Sequence, residues 1–293
     1  MNNITAAQGL AELKLALQAG SEEPQLEAQL LLAHGLGQTR SWLLAHPETE
    51  LEPALWTSIQ GMAKRRAKGK PLPYILGHWE FFGLTFSIGP AVLIPRPETE
   101  LLVETALAWL GKHPNRRRAV DVGTGSGCIA VSLAKQVPDL CLTACDISAE
   151  ALWIARANSR IHNVLDQINL VQADLLTSFV PHSFDLICAN LPYIPTDTLY
   201  ELPIYSYEPG LALDGGPDGL DLIRRLLADA LRLLTPGGLL LLEIEHRQGQ
   251  AVLDHILTSP PLQYEGLEVG GFTGSARLLQ DLAHRDRLVA IEV

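Results

Sequence analysis

Two hydrophobic patterns divide the chain. Over residues 1–70 the apolar positions recur at helical spacing. Leu10, Leu13 and Leu17 form a stripe closed by Gly20, and Leu26, Leu30, Leu31 and Leu32 form another behind Ser21 and Pro24. A shorter helix holds Trp42, Leu43 and Leu44 and stops at Pro47; a last one runs from about Pro53 through Leu55, Ile59 and Met62 to Gly69. Pro71 and Pro73 then break the helix, and His78-Trp79-Glu80-Phe81-Phe82, Gly83-Leu84 and Thr85-Phe86-Ser87 read as a β-hairpin across a glycine turn. Pro97-Glu98 starts a helix that reaches Leu110.

From Arg118 the pattern alternates strand and helix at βαβ spacing. Strands are expected over Ala119–Val122, from Leu140 to Ala144 with Asp146 at the end, over Ile168–Val171, and over Phe184–Ala189. Helices are expected from Cys128 to about Gln136, after the capping residue Ser148, from Leu220 to Leu234, and near Gln250–Leu257. Thr235-Pro236-Gly237-Gly238 reads as a turn into the apolar strand Leu239–Glu243, and strands near Glu265–Val269 and Leu288–Ile291 are expected to finish the sheet. The pattern predicts an α/β protein in three segments. A small helical domain at 1–70 serves recognition or packing, a hairpin linker occupies 71–97, and a Rossmann-like sheet occupies 98–293.

Composition narrows the class. Apolar residues make up 47% of the 293 positions, enough for a real core. No apolar run approaches the ~20 residues needed to span a bilayer. The start, Met1-Asn2-Asn3-Ile4, lacks the basic flank and cleavage pattern of a secretory signal. Cys128, Cys141, Cys145 and Cys188 show no paired spacing and read as buried thiols in a reducing compartment, so the expected location is cytoplasmic. The nine histidines show no metal-ligand spacing, and no metal is expected.

The net charge of −11 argues against a protein that coats nucleic acid. Residues 1–72 are balanced at seven basic and seven acidic side chains, so the excess lies in 73–293, with 15 basic and 26 acidic. The basic knot Lys64, Arg65, Arg66, Lys68 and Lys70 reads either as the C-terminal turn of a helix or as a docking patch.

Candidate chemistry sits where strands end. Gly123-Thr124-Gly125-Ser126-Gly127 lies between a strand and a helix, where backbone can approach a ligand closely. Cys128 occupies the third glycine position of the dinucleotide fingerprint, which disfavours NAD, and the absence of Gly-Lys-Ser/Thr excludes a P-loop. Asp146, ending the next strand, can grip two ribose hydroxyls; Asp174 can approach an adenine amine, with Leu175 packing on the ring. Asn190-Leu191-Pro192-Tyr193 follows the fourth strand. Asn190 projects an amide that both donates and accepts, Pro192 holds Leu191 extended and aims its carbonyl, and Tyr193 adds a flat ring. Two carbonyl oxygens and a ring suit a planar NH2 group; read alone, the tetrapeptide is equally a strand end with an Asn turn. A nucleoside lying across the sheet with a reactive end at Asn190 accounts for all four sites.

Asp121-Val122-Gly123-Thr124-Gly125-Ser126-Gly127, Asp146 and the Asn-Leu-Pro-Tyr tetrapeptide together resemble class I S-adenosylmethionine-dependent methyltransferases. Three further matches narrow the resemblance: Ile94-Pro95-Arg96-Pro97-Glu98-Thr99-Glu100, Tyr207-Glu208-Pro209 with Leu213, and Asp281-Leu282-Ala283-His284-Arg285-Asp286-Arg287. With them the chain resembles, over essentially its whole length, the peptide chain release factor N5-glutamine methyltransferases. The resemblance implies a seven-stranded methyltransferase sheet and S-adenosyl-L-methionine as cofactor, leaving as S-adenosyl-L-homocysteine. It assigns cofactor binding to Gly123–Gly127, Asp146, Asp174, Leu175 and Asn190, and substrate binding and catalysis to Asn190, Leu191, Pro192 and Tyr193. The implied partner is a class I peptide chain release factor, gripped by the helical domain and hairpin, with no direct nucleic-acid or membrane partner.

The implied chemistry is physically coherent. An amide nitrogen is a poor nucleophile, and accepting its two N–H bonds with the Asn190 oxygen and the Leu191 carbonyl would orient it towards the sulfonium methyl. Leu191 departs from the usual proline, and a modest cost is expected because the acceptor is a backbone carbonyl. His284 stands where the family usually carries glycine and reads as a loop variation. Glu243 and Glu245 end a strand near the site and read as caps for neighbouring amides, and Tyr207-Glu208-Pro209 reads equally as a substrate loop or a brace. The rival activity is an N6-adenine-type nucleic-acid methyltransferase acting on a flipped base, which needs a basic channel.

Overall fold

Thr5 shows how local chemistry sets the elements in the computed structural model of the chain. Its hydroxyl accepts from the Gln8 backbone, and its own N–H donates to the Gln8 side chain at 2.9 Å, so a reciprocal capping box opens the first helix. The structure describes residues 4–258, the short strands Gln263–Tyr264 and Leu267–Glu268, and residues 274–293. The chain forms two compact units, Met1–His78 and Trp79–Val293.

In the first unit β1 (Ile4–Thr5) pairs antiparallel with β2 (Glu50–Leu51), and between and after them lie α1 (Ala6–Leu17), α2 (Pro24–Leu36), α3 (Arg40–Ala45), α4 (Pro53–Ala67) and α5 (Leu72–Leu76). Leu13, Leu17, Leu31, Leu32, Leu43 and Ile59 are fully buried and make its core. Lys64, Arg65 and Arg66 occupy the last turn of α4, where cations oppose the helix dipole. Arg66 also grips Glu27 of α2 with two bonds of 2.9 Å. Pro71 and Pro73 do more than break α4: they sit at the N-cap and in the first turn of α5, where a missing N–H costs nothing.

The hairpin of β3 (His78–Phe81) and β4 (Leu84–Ser87) comes next, and the second unit begins at its second residue, Trp79. A 3-10 turn at Pro97–Thr99 then leads into α6 (Glu100–Lys112). The following elements are β5 (Arg118–Val122), α7 (Cys128–Gln136), β6 (Cys141–Asp146), α8 (Ala149–Ile161), β7 (Ile168–Gln172), β8 (Phe184–Ala189) and α9 (Thr196–Glu201). The chain closes with α10 (Asp221–Leu233), β9 (Leu234–Glu243), α11 (Gly249–Thr258), β10 (Gln263–Tyr264), β11 (Leu267–Glu268), β12 (Ser275–Gln280) and β13 (Asp286–Glu292). Among the described residues the main sheet has seven strands in the order β12-β13-β9-β8-β5-β6-β7. Pairings from β7 to β9 are parallel, and β13 runs antiparallel to both β9 and β12. Strand order reverses at β5, which has β6 on one side and β8 on the other, and open α/β sheets bind ligands beyond such a switch point. Val120, Val122, Ile187 and Ala189 from one face pack on Ile223, Leu226, Leu227 and Leu233 of α10.

Several expectations are corrected. Thr235-Pro236-Gly237-Gly238 is not a turn before β9 but an irregularity inside it, since Phe184 pairs with Leu234 and Leu186 already pairs with Leu239. The strand expected near Glu265–Val269 falls partly outside the described residues, and its described part, Leu267–Glu268, pairs only with β10. The sheet is finished by β12, whose edge position leaves its residues exposed or half-buried and hides the apolar run that marks its neighbours. Three of the cysteines are buried, whereas Cys141 is exposed; all are free thiols.

The irregularity in β9 has a charged reason. Asp185 of β8 is buried, and its Oδ1 accepts from Thr235 Oγ1 at 2.8 Å and from Arg116 Nη1 at 3.3 Å. Its Oδ2 accepts from the backbone N–H groups of Arg117 and Arg118 at 3.2 and 3.1 Å. Burial pushes the carboxyl up, but these donors outweigh it and hold the group below the usual carboxylate range. Asp185 therefore ties the starts of β5, β8 and β9 together.

At the opposite hairpin His284 has φ +57°, in the left-handed region that favours glycine. Asp281 Oδ1 accepts from the N–H groups of Ala283 and Arg285, and this turn forces the conformation. His284 therefore carries backbone strain that a glycine at this position would avoid.

Two outcomes are expected. His284→Gly should stabilise the fold by about 1 kcal/mol, read as a raised midpoint in denaturant. Asp185→Ala should cost about 2–4 kcal/mol at neutral pH, because charged donors lose their acceptor. That difference should shrink as the pH falls through the depressed carboxyl pKa, where the wild-type side chain takes up its proton. A gap that persists unchanged into acid would contradict this account of Asp185.

Candidate active site

The register of the sheet sets the site. Val122 pairs with Cys145 on one side and Ala189 on the other, so β5, β6 and β8 end within one residue of each other and the segments after them emerge side by side. They open onto a cavity of about 470 Å³, within the range of small-molecule sites. Gly123, Thr124, Gly125, Ser126, Asp146, Asp174, Leu175, Asn190, Leu191 and Pro192 all line it.

The glycine loop is shaped by its neighbours. The N–H groups of Gly123 and Thr124 donate to the Cys145 carbonyl at 2.9 and 3.0 Å, and the Thr124 hydroxyl donates to Asp121 at 2.6 Å. Gly123 has φ +70°, and a Cβ there would meet the Leu191 side chain at 3.1 Å. Gly127 has φ +79°, and its Cβ would meet Ala155 of α8 at 3.1 and 3.2 Å. The first glycine therefore admits the Asn-Leu-Pro-Tyr segment, and the last admits a helix. Asn158 of α8 donates to the Ser126 carbonyl at 2.8 Å and exchanges bonds with Ser87 of β4, fixing the loop to the hairpin strand. Buried among these residues, the Cys128 thiol is pushed up to about 12, first by burial and then by Asp121.

Asp146 faces the cavity with one oxygen accepting from Gly125 N–H and the other from Ser148 N–H, both at 2.9 Å. Burial raises its pKa against these bonds. Each oxygen keeps a lone pair for a further donor, as a pair of hydroxyls would require. Leu175 lines the wall from a left-handed backbone at φ +51°, a rare conformation for a branched side chain. Asp174 accepts from Arg225 of α10 at 2.7 Å, so its carboxylate already carries a partner that the sequence pattern did not indicate.

Asn190 donates through Nδ2 to Thr99 Oγ1 at 3.0 Å, which leaves the amide oxygen as the end available to a ligand. Leu191 is buried and its side chain meets Gly123, so it belongs to the core, and the residue also borders the cavity. Tyr193 does not line the cavity. Its ring packs against the core, its carbonyl accepts from Gln248 Nε2 at 3.0 Å, and burial followed by the nearby Glu243 pushes the phenol up to about 12. Tyr193 is thus half-buried, with its ring on the core side of the segment that Asn190 opens. The next residue, Ile194, exchanges backbone bonds with Leu213 and Gly215 at 3.1 and 2.9 Å.

A second staple joins the other motif segments. Glu208 is buried and accepts from Arg96 Nη2 at 2.6 Å and from the Ile94 backbone at 3.2 Å. The Pro-Arg-Pro loop and the Tyr-Glu-Pro segment thus form one wall, and bracing is what Glu208 does there. Thr99 and Glu208 lie in motifs marked in the sequence, but their partners Asn190 and Arg96 are far away in sequence, and Arg225 and Gln248 carry no local signal at all.

A Rossmann-like sheet, a glycine cradle and a strand-end acid beside an amide are the parts of a nucleoside-binding group-transfer enzyme, and the comparisons agree. Residues 97–199 match the methyltransferase small domain, and residues 8–77 match the PrmC N-terminal domain. A release factor glutamine methyltransferase of Moorella thermoacetica is 45% identical over 97% of both chains. One from Geobacter sulfurreducens is 41% identical over 80% of this chain and 81% of its own. The human Mettl16 catalytic domain, solved with an RNA hairpin, shares the fold with a TM-score of 0.54 at 17% identity, covering 78% of this chain and 81% of that one. The chain is an S-adenosylmethionine-dependent methyltransferase. It belongs to the release factor glutamine methyltransferase family.

The packing of Leu191 yields a separate expectation. Leu191→Pro should lower stability by about 1–3 kcal/mol through lost burial, while methyl transfer per folded molecule stays within a few fold. A collapse of transfer in folded, cofactor-binding protein would contradict a role confined to the backbone carbonyl.

Proposed function

We propose that this chain transfers a methyl group from S-adenosylmethionine to the side-chain amide nitrogen (N5) of the glutamine in the Gly-Gly-Gln motif of class I peptide chain release factors. The observation that carries this reading is the Asn190 amide at the switch point, anchored through Nδ2 to Thr99 with its oxygen left for a donor. A glutamine amide offers two N–H donors in one plane. Asn190 Oδ1 and the Leu191 carbonyl accept one each, which fixes the plane of the amide and orients its weak lone pair. The bound cofactor supplies an electrophilic methyl group. The methylated nitrogen is then strongly acidic and sheds its proton without a dedicated base. Catalysis is positioning and electrostatics.

The remaining residues have supporting roles. Gly123–Gly127 cradle the cofactor, Asp146 holds its ribose hydroxyls, and Asp174 with Leu175 borders its adenine. Asp174 does this while paired to Arg225, which leaves its second oxygen for an amine. Pro192 stiffens the segment, and Tyr193 acts from the core side. Residues 1–70 and the hairpin segment 71–97 grip the release factor, and residues 98–293 present the cofactor. Translation termination places the protein in the cytoplasm. The names of the relatives, the balanced charge of residues 1–72 and the acidic remainder support a protein substrate over nucleic acid. The likeness to an RNA-bound methyltransferase concerns fold alone.

The test is transfer of labelled methyl from S-adenosylmethionine to purified release factor. A Gly-Gly-Ala factor, a free Gly-Gly-Gln peptide and DNA serve as comparisons. Label is expected on the intact wild-type factor, weakly on the peptide, and on neither of the others. Asn190→Ala should cut kcat by roughly 100-fold or more. Label on DNA alone, or full activity in Asn190→Ala, would contradict the reading.

A further inference from the structure

Glu243 ends β9 beside the Asn190 segment and takes no part in holding the cofactor or the substrate amide. It is 1% exposed, and both carboxyl oxygens lack a hydrogen-bond partner among the described residues, so it does not cap neighbouring amides. Leaving such a group bare in the interior is costly and calls for a reason. The groups that face it come from four elements. Thr99 and Glu98 belong to the turn before α6, Asn190 and Tyr193 follow β8, Arg287 comes from β13, and Cys128 opens α7. Thr99 and Asn190 lie close to the carboxyl without meeting hydrogen-bond geometry.

The Thr99 hydroxyl connects the two. Its oxygen accepts from Asn190 Nδ2 at 3.0 Å, and its own proton then needs an acceptor. Glu243 is the buried acceptor with capacity to spare. A hydroxyl can run either way: if its proton goes to a carboxylate, it must accept from the asparagine amide, and Asn190 keeps its NH2 end inward and its oxygen outward. If Glu243 is protonated and donates to Thr99, the hydroxyl proton turns towards Asn190 and favours the amide flipped by half a turn. A flipped amide would offer donors to a substrate NH2 group, and the two would repel.

We propose that Glu243 is a positioning residue that, in its ionised form and through the Thr99 hydroxyl, sets which end of the Asn190 amide faces the substrate. The proposal rests on the reading of Asn190 as acceptor for the glutamine amide. It makes a proton on Glu243 inhibitory. Burial, only partly opposed by Thr99 and Arg287, raises this carboxyl to about 7.

The test uses the full chain, intact release factor and saturating S-adenosylmethionine, with kcat followed from acid to alkaline pH. Wild-type kcat is expected to fall on the acid side with a midpoint near 7. Glu243→Gln, which cannot ionise, should lose that limb and run about 10- to 100-fold below the wild-type plateau, with cofactor Kd and melting temperature little changed. Thr99→Val, which removes the relay and keeps the shape, should match it, and the double variant should be no worse than either single one. A purely structural Glu243 would instead lower melting temperature and cofactor affinity and keep the acid limb. Wild-type plateau and limb in both variants, alongside an inactive Asn190→Ala, would overturn the proposal and leave the underlying reading intact. An active Asn190→Ala would overturn both.

Discussion

Parallel register at the switch point is the constraint on which the site depends. Because Val122 lies opposite both Cys145 and Ala189, Gly123, Asp146 and Asn190 follow at one height and are delivered to the same crevice. A shift of one residue would turn every side chain of a strand to the other face and separate Gly123 from Asn190. Apolar packing on α10 holds the register from one face. Asp185 holds it from the far edge, where one buried carboxylate gathers donors from the starts of β5 and β9.

With the strand ends side by side, the loops beyond them still have to be kept still, and this is done by polar bonds across long sequence distances. Asn190 is anchored to Thr99, Tyr193 to Gln248, Arg96 to Glu208, and the glycine loop to Asp146 and Asn158. Each places a charged or amide group in a buried setting where leaving it unpaired would be expensive. The site is therefore built largely from bonds made before any ligand arrives, as a reaction driven by positioning requires.

The parts legible in the sequence are those whose signal is local. A glycine run after a short apolar strand, an acid ending the next strand and an Asn-Leu-Pro-Tyr segment ending another each carry their meaning within a few residues. What escaped is non-local or masked by packing. Nothing near Thr99 points to Asn190, and Arg225 reads as an ordinary helix-surface charge until α10 brings it to Asp174. Tyr193 follows Asn190 in irregular backbone, and only the fold shows that its ring packs on the core cluster. Thr235-Pro236-Gly237-Gly238 carries every mark of a turn, yet a charged neighbour draws it into a strand. Strand β12 lacked the apolar run of its neighbours because an edge strand needs none.

The central claim is that two oxygens at the end of β8 hold a glutamine amide by its two N–H groups. The measurement that meets it most directly is a crystal structure of the chain with S-adenosylhomocysteine and a release factor carrying its Gly-Gly-Gln loop. The account predicts the glutamine amide nitrogen within hydrogen-bond distance of both Asn190 Oδ1 and the Leu191 carbonyl, with Asn190 Nδ2 still on Thr99. A glutamine held by other residues, or an Asn190 amide presenting its nitrogen to the substrate, would contradict it.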